Sequence, residues 1–346
     1  MKIFGNYDLT KLNTFGISAR AKFFIEVHSE DELKELFATQ EFKKNKKLFL
    51  GGGSNVLITR DFDGLVILNK LKGIEILEED FENVVIRCMG GEIWHDLVNF
   101  AVDRGYWGIE NLSFIPGTVG AAPMQNIGAY GAELGHVLEN VEGYEIEDGK
   151  ENKKRIFKKE ECEFGYRDSV FKNKLKDRYF IFAITLRLSK REKKNLSYKI
   201  LSDYIEKNKI EIKGPKDISE AVTSIRKSKL PDPKVIANAG SFFKNVLLDG
   251  ETLKSLLKLY PEMPSFNEGG IKKIPAAWLI EQCGPANGTS WKGYRLGNVG
   301  VHNRQALVLV NYGGASGGEV KNLAEQITAS VLSKFNLKLV PEVNLI

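Results

Sequence analysis

Nineteen consecutive residues, Ser113 to Gly131, carry no charge, and four of them are glycine. Two more are adjacent alanines, Ala121 and Ala122, and Pro116 and Pro123 interrupt the run. The prolines and glycines, with Gln125 and Asn126, exclude a bilayer span. Small residues let a backbone come close to a large flat ligand, and uncharged amides bond to its heteroatoms. A structural loop can also be small and uncharged, but seldom at this length. The stretch is therefore read first as a ligand-wrapping loop.

The rest of the chain reads as ordinary globular protein. At 346 residues it is long enough for two to three domains, and 42% hydrophobic with 27% charged residues excludes disorder and a fibrous repeat. A formal charge of +5 suits an anionic ligand but is too mild and dispersed for a nucleic-acid binder. Cys88, Cys162 and Cys283 stand far apart, without the spacing of a disulfide framework or a zinc site. His28, His95, His136 and His302 lack ligand spacing, so no metal is assigned. The N-terminal MKIFGNYDLTKLNTFG has no apolar core of a signal peptide, and a reducing cytoplasmic setting is expected.

Helical and extended patterns alternate. Ser29 with Glu32 is a capping-box pattern ahead of Leu33, Leu36 and Phe37. Residues 92–104 read as a helix with Ile93, Leu97, Val98 and Ala101 inward, and Tyr179 to Leu188 as a strand of alternating character. Ser189 to about Lys213, with Lys190-Arg191-Glu192-Lys193-Lys194, reads as a charged, exposed connection into another domain. Ser316 caps a helix with Val320, Leu323, Ile327, Val331 and Phe335 on one stripe, and the C-terminal LKLVPEVNLI reads as strand. There is no internal repeat, and the coarse result is α+β.

A second glycine signal lies at LFLGGGSNVLI. Three consecutive glycines allow φ > 0 and a concave array of N–H groups for an anion, with Ser54 and Asn55 as side-chain donors. Neither GxGxxG nor GK[ST] is present, and Val56-Leu57-Ile58 prefers strand, so this is a phosphate loop between strands or a plain tight turn.

GGGSN, IPGTVGAAPMQNIGAYG, GYRDSVFK, GSFFKN and a terminal PEV occur in this order along nearly the whole chain. Together they resemble the UDP-N-acetylenolpyruvoylglucosamine reductase family. The resemblance implies an FAD-binding fold of the vanillyl-alcohol-oxidase type, in two α+β subdomains, with an α+β substrate-binding domain. On this basis residues 1–68 and 69–213 form the FAD-binding subdomains, 214–335 the substrate domain, and 336–346 returns to the second subdomain. Tyr198, between GYRDSVFK and KSKLPDP, points to the family's first type, in which a tyrosine loop covers the UDP end.

The resemblance also implies roles. Gly51, Gly52, Gly53, Ser54, Asn55 and Val56 would hold the FAD diphosphate. Ile115, Pro116, Gly117, Thr118, Gly120, Ala121, Ala122, Gln125, Asn126, Ile127 and Gly128 would wrap the rest of the non-covalent flavin, with Arg226 as a further contact. Ala121 and Ala122 depart from a common family pattern of hydroxyl residues, and Asn344 stands where arginine is frequent. Hydride would pass from NADPH through FAD to an enolpyruvyl double bond, and charge building up at the neighbouring carboxylate needs a fixed cation and a proton donor. Arg167, Ser241 and Glu342 match the catalytic positions. Read without the family, Arg167 is a salt-bridge arginine, Ser241 a turn serine and Glu342 an edge-strand charge. Tyr130, Tyr166, Tyr198, Lys229, Asn245 and Gln305 match substrate contacts. The partner is then a UDP-sugar, with no nucleic acid or membrane, on a monomer. The alternatives are a flavin oxidase of a small alcohol or sugar, and a non-catalytic UDP-sugar binding module.

Overall fold

The computed structural model describes residues 1–146, 152–268, 270–286 and 288–346. The chain forms two compact units. One contains Met1–Tyr7, Ala21–Gly53 and Phe62–Ser228, the other Asp8–Arg20, Ser54–Asp61 and Lys229–Ile346. These cuts differ from the boundaries expected above. Residues 214–228 group with the first unit, because the helix Pro215–Lys229 buries Ile218, Ala221, Val222 and Ile225 against Trp107 and Leu201. The Ser189–Lys213 segment is correspondingly no bare connection: it contains the helix Lys199–Lys207, and Leu196, Ile210 and Ile212 pack on the same cluster.

The first unit holds two larger sheets and the two-stranded pair Gly128–Ala129 with Ala132–Glu133. Strands Arg20–Val27, Phe62–Asn69 and Lys46–Leu50 are parallel, with Phe4–Asp8 on the edge. The helix Glu30–Ala38 buries Leu33 and Leu36 in the core these strands share. Its start follows the expected cap in part: Ser29 Oγ accepts from Glu32 N at 3.1 Å, while the Glu32 carboxylate turns to His28 N at 2.7 Å. The second sheet is antiparallel, in the order Lys154–Lys158, Leu138–Glu145, Tyr179–Ser189, Asn83–Met89, Ile74–Glu79.

Tyr179–Ser189 does not alternate. All residues from Tyr179 to Leu186 are buried, since Phe180, Phe182 and Ala183 face one hydrophobic cluster and Tyr179, Ile181, Ile184 and Leu186 another. A central strand covered on both faces has no polar side to show. The second cluster is closed by the helix Trp94–Val102. Here Ile93 is 48% exposed and Trp94 is buried in its stead, because the helix begins at Trp94, two residues after the expected start at 92, and Ile93 is its extended N-cap.

In the second unit, antiparallel strands Ala237–Ser241, Val308–Asn311, Val299–Val301 and Arg295–Leu296 form one sheet. The helix Gly317–Phe335 lies in the same core, with all five expected stripe residues buried. Ser316 and Glu319 cap it reciprocally. A Cβ on Gly317 would stand 1.9 Å from Ile58 O, so the helix start is pressed onto the segment that follows the triple glycine. Most of LKLVPEVNLI is irregular. Only Asn344–Leu345 is strand, and it pairs in parallel with Val56–Leu57 rather than returning to residues 69–213. Among the described residues no helix is long and apolar enough to cross a membrane.

Inside the first unit, Glu142 is 6% exposed and accepts two hydrogen bonds from Arg87, at 2.5 and 3.0 Å, and an ion pair from Lys154 at 2.8 Å. Burial pushes this carboxyl up, but the bonds from Arg87 and Lys154 outweigh it and hold it below its ordinary value of 4.5. A depressed carboxyl stabilises the fold fully above its unfolded value and loses that contribution as pH falls through the folded one. Glu142→Gln is therefore expected to cost about 1–3 kcal/mol at neutral pH. Thermal unfolding at several pH values checks this: the gap to wild type should close below about pH 4.5, and a gap that widens in acid would refute it.

Candidate functional site

The triple glycine lies between the strands Lys46–Leu50 and Val56–Leu57. Of its three glycines only Gly53 takes a positive φ, +61°. Gly51 and Gly52 are required for a different reason than the expected φ > 0. A Cβ on Gly51 would lie 2.3 Å from Thr118 Oγ1, and one on Gly52 would lie 3.0 Å from Gly117 Cα. At Gly52 the two glycine-rich segments thus meet backbone against backbone, while Gly51 leaves room for the Thr118 side chain. Beside this contact the Thr118 hydroxyl is buried with no hydrogen-bond partner among the described residues. A glycine-lined cradle with an unused hydroxyl fits the phosphate part of a dinucleotide cofactor such as FAD, which would use that hydroxyl.

Not every residue of the uncharged loop lines this cradle. Ala122 is 2% exposed and packs in the core of the antiparallel sheet, and a Cβ on Gly120 would meet Gly90 Cα at 3.0 Å. Both positions, expected to touch the cofactor, serve packing in the structure. Ala121 does flank the cradle, 3.4 Å from where Gly51 would carry its Cβ. Ile127 is likewise a buried core residue.

Asn126 is buried at φ +45° and ties the loop to the segment carrying Arg167. Its Nδ2 donates to Glu133 Oε2 at 2.7 Å and to Gly165 O at 3.2 Å, and its Oδ1 accepts from Gly135 N at 2.9 Å. Gly165 and Asp168 exchange two backbone hydrogen bonds, each 3.2 Å, closing a turn in which Arg167 adopts φ +52°. A non-glycine residue in that region is strained and persists only where its surroundings fix it. The Arg167 guanidinium donates to Gly128 O and lies 5.3 Å from the Tyr166 ring centre. Asp168 meanwhile accepts from Asn173 at 3.0 Å.

Tyr130, at φ +48°, meets the Tyr198 ring edge to face at 5.4 Å, so the structure brings these two predicted residues together. Burial raises the Tyr130 hydroxyl, with Arg226 opposing. Arg226 Nε donates to Phe114 O at 3.1 Å. Its guanidinium is held below its usual value by burial, and the like charge of Arg167 acts in the same direction. A buried guanidinium with a second cation acting on it is an environment that favours an anion.

In the second unit, Asn238 shapes the approach to Ser241. Its Nδ2 donates to Ile236 O at 2.8 Å, and its Oδ1 accepts from Gly240 N at 2.9 Å, where the glycine has φ +70°. Ser241 then emerges at the end of its strand, opposite Val308. The C-terminal segment runs alongside: Glu342 N donates to Phe242 O at 2.7 Å, and Phe243 bridges Pro341. Ser241 and Glu342, 101 positions apart by number (342 − 241), therefore sit on hydrogen-bonded neighbouring segments. Asn344 and Asn55 reinforce this end, through Asn344 Nδ2 to Asn55 O at 3.1 Å and Asn55 Nδ2 to Glu342 O at 3.4 Å. Asn245 uses its Oδ1 to accept from Ala276 N at the start of the helix Ala276–Glu281, and Gln305 Oε1 accepts from Leu307 N. Lys229 is exposed at the end of its helix.

A cavity of about 1020 Å³ in the first unit, lined by Trp107, Asn111, His136, Arg187, Lys193 and Ser197 among others, touches none of the predicted site residues. Among the described residues no group of three His, Cys, Asp or Glu side chains is placed to hold a metal. Sequence reasoning passed over Glu133 and Ser219, and set His95 aside once it showed no metal-ligand spacing. Their partners lie 7, 106 and 19 positions away, and no local pattern marks such contacts.

Comparison with known proteins agrees with this geometry. A family model of an FAD binding domain matches residues 21–152, and one of the C-terminal domain of UDP-N-acetylenolpyruvoylglucosamine reductase matches residues 232–346. The UDP-N-acetylenolpyruvoylglucosamine reductase of Flavobacterium johnsoniae is 45% identical over 348 residues, covering 100% of both chains. That of Amoebophilus asiaticus is 48% identical over 342 residues, covering 99% of this chain and 98% of its own. In fold, the chain matches the crystal structure of the same reductase from Thermus caldophilus with a TM-score of 0.64 at 23% identity, covering 99% and 98%. A solvent-stable cholesterol oxidase matches at a TM-score of 0.50 and 10% identity, covering 97% and 86%. The α+β, vanillyl-alcohol-oxidase type of FAD-binding fold is the one expected from the sequence. The chain belongs to the UDP-N-acetylenolpyruvoylglucosamine reductase family and is a flavoprotein oxidoreductase.

Proposed function

We propose that this protein reduces the enolpyruvyl group of UDP-N-acetylglucosamine-enolpyruvate to UDP-N-acetylmuramate with NADPH, a cytoplasmic step of peptidoglycan precursor synthesis carried out by the monomer. The reading is carried by full-length kinship at 45–48% identity in a chain that keeps Ser241 and Glu342 on bonded neighbouring segments. FAD, when bound, supplies the hydride chemistry between NADPH and the enolpyruvyl double bond.

The protein's own groups do the rest. Gly51, Gly52, Gly53, Ser54, Asn55, Gly117 and Thr118 hold the diphosphate, largely through backbone N–H groups and the Thr118 hydroxyl. Arg226 adds a fixed positive charge. Arg167 faces the substrate carboxylate, where a planar guanidinium matches charge that grows as hydride arrives at the terminal methylene. Ser241 donates the proton to the adjacent carbon. A serine hydroxyl is a poor acid, so it works only where nearby charge stabilises the alkoxide, and Glu342 relays the proton or fixes the enolate. Tyr130, Tyr166, Tyr198, Lys229, Asn245 and Gln305 bind the UDP-sugar, with Tyr198 covering its uridine end. Functionally, residues 1–213 serve chiefly the flavin and 214–335 the substrate.

The cradle gives one test. Gly52→Val puts branched carbons where a Cβ alone is already 3.0 Å from Gly117 Cα, which costs about 1–3 kcal/mol and occupies the phosphate's place. The variant should fold but purify largely colourless. A folded variant with full flavin absorbance rules the cradle out.

Ser241 gives a sharper one, because only the second half-reaction needs a proton donor. In Ser241→Ala, bleaching of the flavin colour by NADPH should stay near wild type. Recovery of the colour on adding the enolpyruvyl substrate should slow by about 10²–10⁴-fold. Ser241→Cys should regain part of the rate. Rapid-mixing absorbance resolves the two steps, and equal loss in both would make Ser241 a structural residue only.

A further inference from the structure

Phe114 stands at the entry of the uncharged loop with φ +58°, a left-handed backbone that a phenylalanine seldom adopts. Both of its backbone polar groups are gripped by other elements. Its N–H donates to Nδ1 of His95 at 3.1 Å, and its carbonyl accepts from Nε of Arg226 at 3.1 Å. The preceding Ser113 hydroxyl is bonded to that of Ser219 at 2.7 Å, on the same helix as Arg226. The Phe114 ring meets the His95 imidazole edge to face at 5.8 Å, and Lys227 Nζ lies 5.4 Å from the ring centre. One strained residue is thus clamped between the helices Trp94–Val102 and Pro215–Lys229.

We propose that His95 is a positioning residue for the flavin site: as a neutral acceptor it fixes the Phe114 amide, which aims the Phe114 carbonyl at Arg226, and protonation releases the clamp. The inference rests on the reading that Arg226 and this loop hold FAD. For Nδ1 to accept, the ring proton must sit on Nε2. Protonated, Nδ1 becomes a donor facing the Phe114 N–H, and a third cation joins Arg226 and Lys227. The charged groups around the imidazole are Asp96 on its own helix and Arg226 and Lys227 on the other. Burial first, and then the two cations, hold His95 below its ordinary 6.5 against the opposing pull of Asp96. A group so depressed leaves the clamp closed above that value and opens it only as pH falls further.

The test uses the full-length flavoprotein at about pH 7.5 and about pH 5.5. Hydrogen exchange at the Phe114 amide, expressed as protection relative to the unfolded peptide, reads the bond itself. Gel filtration followed by absorbance reads flavin retention. In wild type, protection and retention should both fall by about tenfold in acid, the worth of one lost hydrogen bond. His95→Asn, whose Oδ1 accepts without titrating, should stay protected at both pH values. His95→Leu should be open at both. Unchanged Phe114 protection in His95→Leu, or an acid loss that persists in His95→Asn, overturns the clamp. Protection that follows His95 while flavin retention does not would overturn the flavin assignment of Arg226 and the loop, leaving the hydrogen bond in place.

Discussion

The 3.0 Å that would separate a Cβ at residue 52 from Gly117 Cα sets the terms for the glycine cradle of the first unit. Backbones come that close only where a side chain is missing at the contact. The Thr118 hydroxyl sits at this contact, buried and without a hydrogen-bond partner among the described residues. A buried polar atom without a partner costs roughly 1–3 kcal/mol, so the fold carries a local penalty that a bound phosphate oxygen would relieve. Glycine here serves proximity, whereas Gly53 and Gly117 serve φ, at +61° and +119°.

Around that contact the chain repeatedly places ordinary residues in left-handed backbone: Phe114, Asn126, Tyr130 and Arg167, at φ between +45° and +58°. Three of the four have a partner that holds the turn in place. His95 and Arg226 grip Phe114, the Nδ2 of Asn111 accepts its place beneath Tyr130 by donating to the Tyr130 carbonyl at 2.7 Å, and the Gly165–Asp168 pair encloses Arg167. Asn126 holds itself, through three side-chain hydrogen bonds. Strain resisted by fixed neighbours holds side chains such as Arg167 and Tyr130 in one geometry.

Electrostatics divides along the same lines. Away from the site, Glu142 is saturated by Arg87 and Lys154, and its charge is fully compensated within the sheet. Near the loop, Arg226 and Arg167 instead oppose each other. The first arrangement stabilises the fold. The second gathers positive charge in one place, the kind of electrostatics that suits an anion even in a protein of mild net charge.

Much of this was legible in the residues. The Ser316 cap and its stripe and the core face of Glu30–Ala38 follow from short-range rules of capping and periodicity, which act within a turn or two of helix. The motif order also sufficed to name the family. What the chain could not show alone were contacts between distant segments. That Tyr179–Ser189 is buried on both faces depends on helices and strands more than 80 residues earlier, such as Glu30–Ala38 and Asn83–Met89. That Gly51 and Gly52 are needed for approach rather than φ depends on Gly117 and Thr118, and that Ala122 and Gly120 pack inward depends on the sheet beneath them. His95 found its partner only when two helices enclosed Phe114. Local sequence determines what each segment prefers; which side chains share a site is decided by tertiary packing, because burial and hydrogen bonding act through space and not along the chain.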